Sequence, residues 1–356
     1  MDEPFDLLTA ALLPGLGPRK VRQLAARGPL RLALARPQDH RDLLTESAAA
    51  SLRSGEATRR AMADLETARR LGVTVLGWDD PVYPTLLRCA YDPPPVLYVR
   101  GALPPAEAAK LAIAIVGARA ASLEGRALAR ALGRDLAAAG ATVVSGLARG
   151  IDTAAHEGAL QGGGCTIAVL GSALDRLYPR ENASLATAIA GSGAVVSEFP
   201  FGTAPCAGNF PRRNRVLAAW SQAVVVVEAA TRSGALITAR YALDEGREVM
   251  AVPGHPSQRG SEGTNQLLKD GAALVRNARD VAAEIGLELS AALDTVPAGG
   301  LLDELRPDVP TSLDDLHERT GRDLPKLLAE LTRLEVESRI RRLPGPLYLR
   351  IPPERV

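Results

Sequence analysis

The chain has 356 residues, of which 46% are hydrophobic and 23% are charged, so it can bury a substantial core and is not disordered overall. It carries 42 Lys and Arg against 41 Asp and Glu, which excludes a general electrostatic attraction to nucleic acids or membranes and requires any anion site to be local. Its three cysteines lack the spacing of a zinc site or disulfide framework. The longest apolar run falls far short of the about 20 residues that span a bilayer. These features predict a soluble cytoplasmic protein without metal.

Differences in periodicity divide the chain into four predicted segments. Residues 1–72 are rich in Ala, Leu and Arg and predict a small helical domain. Residues 73–287 alternate short β-rich runs with helical stretches. A Pro- and Gly-bearing linker at 288–300 precedes residues 301–356, where two helices and a final hairpin predict a winged helix.

The helical domain contains one motif with a link to DNA. Residues 13–21 (LPGLGPRKV) have two glycines two positions apart, followed by Pro and basic residues at the start of a helix. This resembles a helix–hairpin–helix turn, as in SAM/HhH-like domains, whose backbone N–H groups can hold a DNA phosphate. Short turns of this kind also serve only as connectors, and both interpretations stay open.

The central region contains seven continuous apolar runs, which is the pattern of parallel strands covered on both faces. They are Ala112–Val116, Thr142–Ser145, Thr166–Leu170, Ala194–Ser197, Ala223–Val227, Val249–Val252 and Ala273–Val275. The helical stretches that accompany them are Ser122–Gly140, Asp152–Leu160, Glu181–Ala190, Pro211–Ser221, Ser233–Glu245 and Thr264–Asp270. This alternation predicts an α/β fold, an extended Rossmann-like doubly wound parallel sheet with right-handed crossovers.

Ligands of open parallel sheets bind beyond the carboxyl ends of the strands. At two of these ends the sequence places Gly117 with Arg119, and Ser145 with Gly146 and Arg149. Small residues let a ligand approach the backbone, loops that enter helices direct N–H groups at anions, and the arginines add positive charge. Each glycine alone could merely make a tight turn, but the combination at one edge predicts phosphate binding.

A helix start with three arginines gives a second candidate. In residues 209–215 (NFPRRNR), cations occupy the end of a helix where the dipole disfavours them, so a function is expected. Arg212 and Arg215 share one face, and Phe210 could stack on a base. The alternative is a solvated helix start with Phe210 in the core. Residues 231–238 (TRSGALIT) form another strand-to-helix loop that is suited to phosphate.

The common nucleotide and catalytic signatures are missing. The loop that begins at Gly117 has only the first glycine of G-x-G-x-x-G, and no P-loop occurs. Neither His156 nor His255 has a partner visible in the sequence that would make it a general base. These observations predict a non-enzymatic protein with no cofactor.

A series of short motifs, taken in chain order, resembles the motifs of the DNA-processing protein A (DprA/Smf) family. They are Tyr83–Pro84, Asp92–Gly101, Ile115–Arg119, Ser145–His156, Tyr178–Asn182, Ser197–Pro200, Phe210–Arg215, Ser233–Ala239, Pro253–His255 and Gly263–Asn265. The resemblance implies a homodimeric single-stranded DNA-binding protein of natural transformation and recombination, which protects incoming DNA and loads the recombinase RecA. Duplex DNA would bind more weakly.

The resemblance also implies where the DNA binds. The family's Gly-Ser-Arg motif falls on Gly117-Ala118-Arg119, with Ala118 in place of the usual serine, and its R-x-N-R element falls on Arg212–Arg215. The predicted DNA-binding residues are Gly117, Arg119, Ser145, Gly146, Arg149, Phe210, Arg212, Asn214, Arg215, Ser233, Gly234 and Thr238.

Two other functions compete with this one. The predicted fold also resembles that of nucleoside-monophosphate phosphoribohydrolases, but residues 231–238 lack the glycine pair and the Glu of their P-G-G-x-G-T-x-x-E loop. A sequence-specific regulator would read DNA through the winged helix. The recognition helix, however, carries Arg322, Lys326 and Arg333 against three carboxylates, which is little charge for reading the major groove.

Overall fold

The computed structural model describes residues 4–104, 111–287, 301–305, 309–320, 322–336 and 339–351. They belong to two compact units, residues 1–288 and residues 289–356. The predicted linker at 288–300 lies outside the described residues. None of the helices in the described ranges combines the length and the apolar character needed to cross a bilayer.

The first unit begins with helices, as the composition predicts. They are α1 (Pro4–Ala11), α2 (Pro18–Ala25), α3 (Leu30–Ala35), α4 (Glu46–Arg53) and α5 (Glu56–Arg70), with a 3₁₀ turn at Pro37–His40. The hydroxyl of Thr45 caps α4 by accepting from the Ala48 N–H at 3.1 Å, and it donates to the Pro14 carbonyl at 3.0 Å. This contact anchors the turn between α1 and α2. The apolar core of these helices is continuous with that of the following sheet.

The sheet and its helices follow in the alternating order that the apolar runs predict. The strands are β1 (Thr74–Gly77), β2 (Val96–Gly101), β3 (Ala112–Val116), β4 (Thr142–Ser145), β5 (Thr166–Val169), β6 (Ala194–Ser197), β7 (Ala223–Val226), β8 (Glu248–Ala251) and β9 (Ala273–Leu274). The helices are α6 (Thr85–Arg88), α7 (Leu123–Ala138), α8 (Ile151–Gln161), α9 (Ala183–Ser192), α10 (Asn209–Trp220), α11 (Gly234–Asp244), α12 (Glu262–Lys269) and α13 (Ala278–Ile285). Further 3₁₀ turns lie at Arg180–Asn182 and Arg259–Ser261.

The strand order is β1-β2-β6-β5-β4-β3-β7-β8-β9. The seven predicted strands, β3 to β9, are confirmed as a parallel array. The prediction of a wholly parallel sheet is corrected at one edge, where β2 pairs antiparallel with β6 and β1 pairs antiparallel with β2. These two strands are absent from the prediction: β1 has only two apolar residues, Val75 and Leu76, whereas β2 does begin with an apolar run, Val96–Val99, that the prediction omits.

The order reverses at β3, which has β4 on one side and β7 on the other. The chain therefore leaves β3 and β7 towards opposite faces of the sheet, and a crevice opens beyond their carboxyl ends. This topological switch point positions the candidate site.

Helices α7 and α8 pack with their backbones in unusually close contact. A Cβ atom added to Gly158 would lie 2.0 Å from the Arg130 carbonyl oxygen, and one added to Gly133 would lie 2.3 Å from the Ala155 carbonyl oxygen. Glycine is therefore required on both helices at their contact, and this contact sets the shape of the surface groove that the two helices enclose.

The second unit has the winged-helix pattern expected from the sequence. It contains α14 (Leu301–Glu304), β10 (Thr311–Ser312), α15 (Leu313–Thr320), α16 (Leu324–Val336), β11 (Ile340–Leu343) and β12 (Leu347–Arg350). The predicted hairpin is confirmed as the antiparallel pair β11–β12, and β10 extends it to three strands. Leu327, Leu331 and Leu334 of the predicted stripe are buried, whereas Leu324 and Leu328 are exposed. The predicted end of α15 at Gly321 lies outside the described residues.

We predict that Gly158→Ala destabilises the protein by about 1–3 kcal/mol, because overpacking separates α7 from α8. Ala normally stabilises a helix relative to Gly by up to about 1 kcal/mol, so the sign of the change is diagnostic. Gly191→Ala in α9 is the matched control, since a Cβ at Gly191 meets nothing within 4 Å. Urea unfolding midpoints compare the two variants. Equal stabilisation by both would contradict the packing argument.

Candidate nucleic-acid interface

A cleft of about 770 Å³ opens at the switch point, between the loops that follow β3 and β7. The first turn of α10 forms a third wall. Seven of the twelve residues predicted from the sequence line this cleft: Gly117, Arg119, Phe210, Asn214, Ser233, Gly234 and Thr238. The structure therefore brings together loops that are more than 100 residues apart in the chain.

An arginine and two aromatic rings lie together in the cleft. The guanidinium carbon of Arg119 lies 4.8 Å from the centre of the Phe210 ring, and the Tyr178 ring is 5.9 Å from the Phe210 ring at an interplanar angle of 51°. Arg119 is exposed and forms no ion pair with any described carboxylate. A cation held over an aromatic face, with a second ring beside it, can contact a phosphate and a base at once.

Beneath the cleft lies a residue that the predicted site omits. Arg213 is 5% exposed, and its Nη1 donates to the carbonyl of Gly146 at 2.6 Å and to the carbonyl of Val169. Burial lowers the pKa of Arg213 to about 10, with the carboxylate of Asp152 opposing this effect, so the guanidinium remains charged at neutral pH. The signal available in the sequence is its place among the three arginines of one helix start, Arg212, Arg213 and Arg215.

Asp152 organises the loop between β4 and α8. Its Oδ2 accepts from the N–H groups of Gly146 at 3.1 Å and Ala148 at 3.3 Å. Burial raises the pKa of this carboxyl, an effect opposed by Arg213 and by the two N–H groups. Between them, Leu147 adopts a left-handed φ of 56°, and its carbonyl accepts from Asn182 Nδ2 at 2.9 Å. Two backbone N–H groups of this loop are therefore occupied by the chain's own carboxylate.

Ser145 does not have the direct role expected of it, and Gly146 is held from below by Arg213. Ser145 is fully buried, and its hydroxyl donates to the Ile115 carbonyl at 2.6 Å. Gly146 lies against Arg213, because an added Cβ would approach the guanidinium to 2.3 Å. Ser145 therefore positions the cleft from below, and the prediction that it contacts phosphate directly is corrected. Gly146 lines a smaller adjoining cleft, and its contact with DNA stays a prediction.

The carboxylate of Glu228, at the same edge of the sheet, is also occupied. Glu228 accepts from the Ser122 N–H at 3.0 Å and from the Ser122 hydroxyl. Ser122 in turn caps α7 by accepting from the Gly125 N–H at 2.8 Å. The start of α7 is thus filled by a side chain of the protein. The cleft itself is lined by Arg119, Arg213 and Arg232 against the single carboxylate of Asp152, which makes it positive in a nearly neutral chain.

Two histidines weighed as general bases have other roles. His156 is fully buried beside Thr166, with its Nδ1 2.7 Å from the Thr166 hydroxyl, and burial lowers its pKa to about 3. His255 lies on a loop with its Nδ1 2.7 Å from the Ser257 hydroxyl. Within the described ranges, no group of three His, Cys, Asp or Glu side chains is placed to hold a metal ion.

Comparison with known proteins gives the family. The family of DNA recombination-mediator protein A matches residues 74–286, and the DprA winged helix domain matches residues 287–346. Protein Smf of Escherichia coli is 41% identical over 288 residues, which are 77% of this chain and 76% of that protein. The chain belongs to the DNA-processing protein A (DprA/Smf) family.

Solved DprA structures share the fold. The X-ray structure of DprA from Streptococcus pneumoniae matches with a TM-score of 0.67 and 33% identity, over 81% of this chain and 99% of that one. DNA processing protein A from Helicobacter pylori, described with a unique single-stranded DNA binding mode, matches with a TM-score of 0.53 and 30% identity over 60% and 95% of the two chains.

The DprA motifs separate into two places in the structure. Gly117-Ala118-Arg119 lies in the cleft, as the resemblance implies. Arg149 lies beside it in an adjoining cleft of about 210 Å³ that it shares with Arg119. There Arg149 pairs with both carboxylate oxygens of Glu181 at 2.5 and 2.6 Å.

Arg212 and Arg215, which are predicted to bind DNA, do not line the Arg119 cleft, although the helix start to which they belong forms one of its walls. The Arg215 side chain is only 14% exposed, with its Nη2 2.5 Å from Glu198 Oε2 and its Nη1 donating to the Asp92 carbonyl. Arg212 Nη2 lies 3.2 Å from the same Glu198 oxygen. Burial raises the pKa of Glu198, and the two arginines oppose the rise. Both cations are therefore directed at a buried carboxylate instead of the cleft.

We predict that Arg215→Ala lowers the free energy of unfolding by about 3 kcal/mol, because it leaves the Glu198 carboxylate buried with weaker compensation. Arg212→Ala should cost less than about 1 kcal/mol, since the Arg212 side chain is 49% exposed. Adding Glu198→Gln to Arg215→Ala should restore part of the loss. Denaturant unfolding of the three variants measures these differences, and equal effects of the two arginine changes would refute this account of Glu198.

Proposed function

We propose that this protein binds single-stranded DNA in the Arg119 cleft, independently of sequence. The observation that carries the proposal is the exposed Arg119 guanidinium stacked on Phe210 inside a positively charged crevice at the switch point. The likeness to the Helicobacter pylori protein supports the choice of single-stranded DNA as the ligand.

In this proposal the two kinds of side chain divide the contacts with the strand. Arg119 contacts a phosphate, and bound counterions are released when its charge replaces them. Phe210 and Tyr178 offer aromatic faces on which bases stack, which is tolerant of sequence because every base has such a face. Gly117 contributes backbone to one wall, and Ser233 and Gly234 contribute the start of α11 to the opposite wall, where the hydroxyl of the buried Thr238 is bonded to the Gly234 carbonyl. Arg213 raises the positive potential from below.

We further propose that this binding serves natural transformation and recombination in the cytoplasm. The protein, as a homodimer, would cover incoming single strands, protect them and load RecA onto them, without a cofactor and without catalysing a reaction. Membership of the recombination-mediator family supports this role. The buried state of His156 supports a binding function over hydrolysis, since an imidazole that a substrate cannot reach, with a pKa lowered to about 3, is too weak a base for this role.

Arg119→Ala should weaken binding to single strands of every sequence. The slope of log K against log salt should become less steep by about 0.7, the value for one phosphate contact on a single strand. Arg119→Lys, which keeps the charge, should retain the slope. RecA loading on single-stranded DNA should fall in parallel with affinity. A normal slope and a normal dissociation constant for Arg119→Ala would show that the strand binds elsewhere.

Phe210→Leu should lower affinity by about 1–3 kcal/mol through lost stacking, while the salt slope stays at its normal value. Leucine is chosen because the Phe210 ring packs against Gly171, so a large apolar side chain is needed there for folding. Fluorescence titrations over a salt series measure affinity and slope together, and urea unfolding verifies the fold. Unchanged affinity in a folded Phe210→Leu variant would eliminate stacking on this ring.

A further inference from the structure

A second concavity adjoins the cleft, on the surface between α7 and α8. It is a groove of about 510 Å³ with two helical walls. The α7 wall is Leu123, Arg126, Ala127 and Arg130, and the α8 wall is Gly150, Thr153, Ala154 and Glu157. Both sets follow the three- and four-residue spacing of a single helix face, so the groove is a built feature of the helix pair.

The groove is rich in arginine. It is lined by Arg119, Arg126, Arg130 and Arg149 against only two carboxylates, those of Glu157 and Glu181. Arg126 is exposed, and none of the described carboxylates pairs with it. The groove is therefore lined by more positive than negative side chains.

The two ion pairs in the groove are open to exchange. The Arg149 and Glu181 side chains are 61% and 51% exposed, and those of Arg130 and Glu157 are 42% and 37% exposed. Exposed ion pairs of this kind contribute little to stability, because water and salt screen them. An incoming phosphate can therefore replace either carboxylate at small cost.

The groove is continuous with the Arg119 cleft. Arg119 lines the main cleft, the small adjoining cleft and the groove, and Arg149 lines the latter two. Ala127, Gly150 and Ala154 leave the floor of the groove free of large side chains. Leu123, 73% exposed, provides an apolar contact at the end nearest Arg119. A strand that leaves the cleft past Arg119 meets this surface next.

We propose that the α7–α8 groove holds the continuation of the DNA strand bound in the Arg119 cleft, with phosphates on Arg126, Arg130 and Arg149. The inference rests on the proposed function, since the strand enters from that cleft. Arg126 and Arg130 are one helical turn apart, so they present two cations in line along one polyanion. The shared arginines favour the same DNA strand over an unrelated acidic protein as the occupant.

The test compares two lengths of oligo(dT). Single-strand sites cover about 4–16 nucleotides, so a strand of about 4 nucleotides fills the cleft alone and one of about 16 also reaches the groove. Arg126→Ala should leave affinity for the short strand unchanged and lower that for the long strand roughly fivefold. Its salt slope on the long strand should become less steep by about 0.7, with no change on the short strand.

Arg70→Ala is the matched control, because Arg70 is an exposed helical arginine of α5 that lines none of these concavities. Arg70→Ala should leave the affinities for the short and the long strand unchanged. Arg119→Ala should weaken the binding of both the short and the long strand. If that result alone fails, the experiment refutes the proposed function and not the groove assignment. Equal effects of Arg126→Ala on both lengths, or none on either, would overturn the groove assignment. Lost RecA loading with unchanged affinities would assign the groove to a protein partner and also overturn it.

Discussion

A charged guanidinium buried beneath the cleft holds its walls in place. Arg213 reaches from α10 to the carbonyl groups of Gly146 and Val169, at the carboxyl ends of β4 and β5. Burying this cation costs desolvation energy, which the carbonyl partners and the nearby Asp152 offset. Because Arg213 fixes the first turn of α10, Phe210 is held beside Arg119. The accessible part of the cleft thus depends on a contact that is buried beneath it.

The second constraint is the placement of negative charge. Three carboxylates lie near the carboxyl edge of the sheet, and each is bound to the protein: Asp152 by loop N–H groups, Glu228 by Ser122, and Glu198 by two arginines. Arg119 and Arg232 have no such partner among the described residues. A chain with a net charge of +1 can therefore present a positive surface without being basic overall.

Local pattern was sufficient for the parallel strands β3 to β9 but not for the edge strands β1 and β2, and it was only partly sufficient for the site. The ends of β3 to β9 lie within one residue of the apolar runs, since strands covered on both faces have a distinctive composition. Arg212 and Arg215 are predicted to face bound DNA, but both are directed at Glu198. Helix periodicity shows which residues share a face but not what that face contacts. Their partner Glu198 and the Asp92 carbonyl are distant in the chain. The burial of Ser145 likewise depends on its contact with Ile115 in the neighbouring strand β3.

Photo-crosslinking tests most directly whether DNA lies in the Arg119 cleft. One thymidine of a short oligo(dT) is replaced by 5-iododeoxyuridine, which crosslinks to aromatic side chains in contact with it, and the crosslinked peptide is identified by mass spectrometry. The chain has only two Trp, six Tyr and four Phe, so each result is specific. Crosslinks at Phe210 or Tyr178 are the predicted result. Crosslinks confined to Tyr348 in the winged helix or to Tyr91 beside Arg19 of α2 would contradict the assignment of the cleft.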